Sequence, residues 1–133
     1  MKKIIAIALT VACLTALCAT AFADYYSLTV QTVNTTDLTY SSGYNTLCTI
    51  DGKMYVKHSV TGGSSSYTNL IHAMRPSHYL VGQKWATPEQ KVPIQSNALV
   101  VGTYYGVAAR GNTKHYEYDG VTSVTLGINF TGN

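Results

Sequence analysis

What most constrains this chain is a period-two pattern carried in short runs between glycine turns, with no long stretch of helical period. Such runs become strands half-buried against a second layer, because alternate side chains leave opposite faces. The last run shows this most clearly. Val124, Leu126, Ile128 and Phe130 fall on one face, separated by polar or small residues. Near the start of the soluble part, Tyr26, Leu28 and Val30 do the same over residues 25–33.

Residues 44–60 hold the strongest local signal, two strands meeting at Asp51-Gly52. The turn type decides which face is the core. A two-residue turn sets Ile50 opposite Lys53 and mixes Cys48 with lysines. A three-residue loop with Gly52 in a left-handed bulge places Tyr44, Cys48, Met54, Val56 and Val60 together, and Asn45, Thr49, Lys53, Lys57 and Ser59 opposite, with Leu47 as the one misfit. A slip of one residue inverts every side chain, so the cleaner segregation favours the bulged turn.

Further strands are expected at 67–74, stopped by Arg75-Pro76, and at 79–85 around the only tryptophan. Residues 98–109 are apolar on both faces and read as one central strand, with Leu99, Val101, Tyr105 and Val107 on one side and Gly102, Gly106 and Ala108 on the other. Thr87-Pro88-Glu89-Gln90 resembles a helix capping box, limited to one turn by Pro93. The expectation is a single all-β domain, an antiparallel β-sandwich of roughly seven or eight strands.

Residues 1–23 read as a secretory signal peptide. Lys2 and Lys3 precede an apolar run from 4 to 17, and Ala21-Phe22-Ala23 is a small-residue cleavage site. The run is short of the ~20 residues a membrane span needs. A lipoprotein is the lesser alternative, since Leu17 before Cys18 is bulky. The expected product is therefore a β-sandwich domain of residues 24–133, secreted and extracellular. The leader, with its paired lysines, and the lack of internal disulfides suit a Gram-positive bacterium.

Residues 24–133 carry seven Lys and Arg against six Asp and Glu, a net charge of +1. Nucleic-acid affinity comes from neutralising phosphates, so this balance points away from nucleic acid as a partner. Cys48 is the only cysteine outside the leader, which rules out an internal disulfide there. Its options are a nucleophile, an intermolecular disulfide partner, an internal thioester with a Gln, or a small buried apolar group. A position between threonines in mid-strand favours the last. His58, His72, His78 and His115 lack zinc-site spacing, although His72 and His78 flank Arg75-Pro76 and could meet across that turn. Glu89 and Glu117 are the only glutamates and show no sign of convergence, and no GxSxG or HExxH occurs. We therefore expect no enzymatic activity, no cofactor and no metal.

Aromatic residues are the candidate binding groups. Trp85, Tyr79, Tyr104, Tyr105, Tyr116 and Tyr118 could form a stacking platform for sugar or a protein hot spot, and we take Trp85, Tyr79, Tyr104, Tyr116 and Tyr118 as the ligand-binding candidates. Tyr67-Thr68-Asn69-Leu70, followed by His72 and His78, resembles the aromatic-Ser-Asn-Tyr, His, His pattern of lactococcin 972-type bacteriocins. Val101-Gly102-Thr103-Tyr104 is loosely similar to that family's later Gly-x-Trp segment. Leu70 departs from the pattern, where the family has an aromatic. The resemblance implies a small secreted β-sandwich with antibacterial action on a cell envelope. Three readings follow: a bacteriocin-like effector, an extracellular adhesion or carbohydrate-binding module, or a self-assembling surface protein. Their partners would be a cell-envelope component, a glycan, a surface protein, or the chain itself.

Overall fold

The computed structural model describes residues 23–32, 37–63, 67–112, 116 and 119–133. Nine strands lie in two antiparallel sheets packed face to face. The first has the order β1 (Ala23–Gln31), β9 (Ser123–Thr131), β4 (Lys53–Thr61), β7 (Val92–Gln95). The second has the order β2 (Thr39–Tyr40), β8 (Tyr104–Arg110), β5 (Asn69–Arg75), β6 (Tyr79–Ala86), and β3 (Thr46–Leu47) adds further along β8. The expected β-sandwich is thus the fold, with nine strands among the described residues. Residues 1–22 of the 23-residue leader and the expected strand segment 114–118, apart from Tyr116, lie outside the described residues.

The alternating residues form the core. Tyr26, Leu28 and Val30 of β1 meet Ile128, Leu126 and Val124 of β9 in register, and all six are buried. Met54 and Val56 of β4 and Ile94 of β7 continue this layer. Ile71, Ala73, Tyr105, Val107 and Ala109 face it from the second sheet. Tyrosine hydroxyls inside find partners. That of Tyr105 donates to Ala98 O at 3.0 Å and accepts from Val100 N, also at 3.0 Å. Phe130 and Tyr26 rings sit 6.5 Å apart, tilted.

The Asp51-Gly52 turn corrects the expected bulged hairpin. Lys53 N donates to Ile50 O at 3.3 Å, and Ile50 bridges Lys53. Only Gly52 of the two central residues has positive φ, at 74°. That is type II geometry, whose twist splays the flanking strands instead of pairing them. β3 therefore leaves for β8, while β4 pairs with β9 and β7. Most of the face assignment survives because it rests on alternation within each strand: Cys48, Met54 and Val56 are fully buried, and Lys57 and Ser59 are exposed, but Tyr44, expected on the core side, packs beside Gly106 on the side of β8 away from the core.

Residues 98–109 are also not one strand. β8 begins at Tyr104. Before it, Leu99 N bonds to Ser96 O and Thr103 N to Val100 O, with Gly102 at φ 86°. The Asp51-Gly52 turn binds this loop: Gly52 N donates to Leu99 O at 2.8 Å and Asp51 Oδ1 accepts from Val101 N at 3.1 Å. Leu99 is buried, whereas Val101 is exposed. Residues 87–90 form a turn with Glu89 at φ 66° instead of a helical turn. Pro93 then lies inside β7, at a sheet edge where its missing N–H faces no neighbour.

Candidate functional site

β5 is buried along both faces, unlike a strand with one wet side. Its inner face meets the core. Its outer face, with Leu70, His72 and Met74, must be covered by something else. The register identifies the cover. Leu70 lies between Arg110 and Trp85, His72 between Ala108 and Gln83, and Met74 between Gly106 and Leu80. Tyr40 extends the His72 row by pairing with Ala108. Tyr104 shares this face with Gly106, Ala108 and Arg110 by strand alternation.

The rings over this floor are open to solvent. Trp85 is 44% exposed, Tyr104 53% and Tyr40 38%. Tyr40 and His78 stack with centroids 4.0 Å apart and planes within 2°. The Arg110 guanidinium carbon lies 5.5 Å from the Trp85 ring centroid. Beneath them Met74 and Ala108 are wholly buried. Gly106 lets this packing close: a Cβ there would collide with the Gly43 carbonyl, the Ser41 hydroxyl and the Tyr44 ring, so residues 41–44 wrap over β8.

Backbone strain holds one ring in place. β5 and β6 join through Pro76, Ser77 and His78, and the last two have φ of 67° and 57°. Non-glycine residues rarely adopt that region, and each costs about 1 kcal/mol or more. The loop thereby turns the His78 imidazole onto Tyr40.

His72 has its pKa lowered by burial and by the Arg110 charge, which keeps it neutral in the floor. Among the described residues, no group of three or more His, Cys, Asp and Glu could hold a metal ion. Cys48 lies apart from this face. Its thiol contacts Ile50 O at 3.2 Å, and burial raises its pKa.

The sequence candidates separate in space. Trp85 and Tyr104 stand on the outer face. Tyr79, 59% exposed, does not join them. Counting by twos would put Tyr79 and Trp85 together, but Ala73 pairs with Gly82 and Met74 with Leu80, so Val81 is an extra residue that inverts the parity. Tyr79 instead faces the other way, under Arg75 at 4.6 Å. Tyr116 is a correction: it is fully buried, donates to Asn69 Oδ1 at 3.1 Å, and meets Tyr67 edge-on at 5.2 Å. It is a core residue and not a surface platform. Tyr105 is likewise buried. Tyr118 lies outside the described residues.

Tyr40, Tyr44, His78 and Arg110 complete the face and were not among the sequence candidates. Tyr40 stands in a Thr/Ser-rich link with no strand signal of its own. His72 and His78 gave the nearest hint, as histidines flanking a turn, yet the partner of His78 is Tyr40.

The fold and this face together define an antiparallel β-sandwich bearing an aromatic and cationic outer surface. No family model, curated protein or solved structure matches the chain.

Proposed function

We propose that this is a secreted, non-enzymatic protein that acts by contact, binding a saccharide of a cell envelope through the outer face of its second sheet. The observation that carries the proposal is the set of solvent-open rings, Tyr40 with His78, Trp85 and Tyr104, held over a closed apolar floor. Rings fixed this way offer flat C–H-binding surface at little entropic cost, because two χ angles describe each and the floor restricts them. Arg110 and Gln83 supply donors at the same face for sugar hydroxyls. Export rests on the leader over residues 1–23.

The test is co-sedimentation with insoluble Gram-positive cell walls and binding to a glycan array. Retention should fall at least tenfold for Trp85→Ala and for Tyr40→Ala, and stay unchanged for Tyr55→Ala, which removes a ring from β4 in the opposite sheet. Equal retention by all three variants would refute the assignment of the face. Growth inhibition of related cells by the same protein separates the bacteriocin-like reading from a purely adhesive one: killing lost together with wall binding supports the effector, and binding without killing supports the adhesion module.

A further inference from the structure

Three of the four outer edges of the two sheets are closed to strand addition, each by a different device. β7 is only four residues long and contains Pro93. β6 is broken by the Val81 bulge and carries Lys84 on the core-facing side, in register with Ile71. Beyond β8 the outer edge is formed by β2 and β3, which are only two residues long each. These are the usual guards against edge pairing.

β1 lacks all of them but one, an inward charge at Asp24, which is confined to the start of its pairing. It runs from Ala23 to Gln31, of which residues 24–31 remain once the leader is removed, pairs with β9 in unbroken register, and contains no proline. Its one charge, Asp24, lies near its start and accepts from the Thr46 hydroxyl at 3.0 Å. The direction of its backbone groups follows from two hydrogen bonds. Thr32 N donates toward β9, to Thr122 O, whereas Thr29 O faces away and accepts from the Thr39 hydroxyl. By alternation, Tyr25 and Ser27 direct both N–H and C=O to the open side. A cleft of about 220 Å³ lies there, between residues 24–28 and a wall that includes Ser41, Gly43 and Asn45.

We infer that β1 is a dimerisation edge that pairs antiparallel with β1 of a second copy, about a two-fold axis near Tyr26. Tyr25 of each copy then stands opposite Ser27 of the other, and each such pair exchanges two backbone hydrogen bonds. Charge favours a second copy in this orientation. Asp24, the first residue once the leader is removed, carries a carboxylate and an α-ammonium, and the two copies of each fall at opposite ends of the pair, whereas a parallel arrangement would set like groups side by side. The near-neutral chain adds little repulsion.

The arrangement has a geometric consequence. Odd-numbered residues oppose odd-numbered residues, so the two four-stranded sheets become one eight-stranded sheet with matching faces. The two-fold is perpendicular to that sheet, and both five-stranded sheets lie on the same side of it. Both aromatic faces therefore point the same way. The assembly closes at a dimer, because the remaining edges are guarded and an isologous contact uses its own surface up. Resting on the saccharide-binding reading, the dimer would present two sites to one envelope and gain by avidity on a polyvalent target.

The test is sedimentation of the protein recovered from the medium after expression of the full chain, at concentrations up to about 1 mM, a range that captures weak pairing. The native chain should show a reversible monomer–dimer equilibrium. Ser27→Pro removes an outward N–H without touching the β1–β9 ladder and should shift the protein to monomer. Ser27→Lys, which puts like charges close to the axis, should do the same and decides the matter should the proline variant not fold. Ser59→Lys, on the outer face of β4, should leave the dimer intact. A native chain that stays monomeric, or Ser27 variants that dimerise as the native chain does, would overturn the proposal. Binding of a single oligosaccharide should be equal in dimer and monomer, with at least a tenfold loss of cell-wall retention in the monomer. Dimer formation with no sugar binding would sink the saccharide reading alone.

Discussion

The chain should lose stability on mild acidification through one buried side chain, His58. Its imidazole is 1% exposed. The hydrogen bonds around it fix its tautomer. Tyr116 donates to Asn69 Oδ1 at 3.1 Å, which leaves Asn69 Nδ2 as a donor both to Tyr67 O at 3.2 Å and to His58 Nε2 at 3.0 Å. Nε2 must accept, so the neutral ring carries its proton on Nδ1, which has no partner among the described residues. Protonating Nε2 would set two donors against each other in a dry site. Burial accordingly lowers the His58 pKa from 6.5 to about 4. The unfolded chain takes up the proton first, so stability is fully present above pH 6.5 and declines as pH falls toward 4. Relative to pH 7.5, the loss from this one group is about 2 kcal/mol at pH 5 and about 3 kcal/mol at pH 4. Those values are a large fraction of the stability of an ordinary domain.

Urea unfolding of the native chain and of His58→Gln at pH 7.5, 5 and 4 isolates the effect. Glutamine can still accept from Asn69 but does not titrate. Carboxylates and the other histidines contribute equally to both proteins and cancel in the difference. The native chain should lose about 2–3 kcal/mol more than the variant over this range. Parallel pH profiles for the two proteins, or an imidazole of His58 that titrates near 6.5 in the folded state by NMR, would refute the tautomer argument.

Other substitutions test the remaining geometry. Tyr116→Phe should cost about 1–3 kcal/mol by leaving buried Asn69 Oδ1 without its donor, yet retain cell-wall binding; loss of binding in a stably folded variant would return Tyr116 to the surface. Gly106→Ala should destabilise by about 1–3 kcal/mol in chemical denaturation, since its Cβ meets backbone of residue 43 that cannot swing aside. Native Cys48 should react with an aromatic disulfide reagent only at the rate of unfolding, and rapid labelling without denaturant would contradict its burial.

Several elements of the sandwich can be read from local pattern. β1 and β9 alternate in sequence, and their buried apolar side chains are the ones that alternation selects, with Gly127 of β9 buried as well. β5 ends where Arg75-Pro76 requires. The candidate site was only partly legible. Trp85 and Tyr104 were recognisable as exposed rings, whereas Tyr79 and Tyr116 were misplaced for two distinct reasons. One extra residue at Val81 reverses a face without changing composition. Tyr116 is followed by an Asp-Gly turn in the sequence, and nothing local shows that Asn69, forty-seven positions away, accepts its hydroxyl. The same distance problem hid Tyr40 and His78, whose rings meet across strands β2, β8, β5 and the loop beyond.

The amino-acid order alone determines the longer strands and which side of most of them avoids water, because alternation acts over two residues and needs no knowledge of the neighbour, but it does not mark β2 or β7 or where β8 begins. The tertiary structure decides who pairs with whom. The Asp51-Gly52 turn adopts a twist that parts its strands, so β4 finds β9 and β7, and β3 finds β8. Pairing partners and bulges are settled by contacts between residues far apart in the chain. Those contacts also leave one sheet with an open edge and the other with an aromatic face.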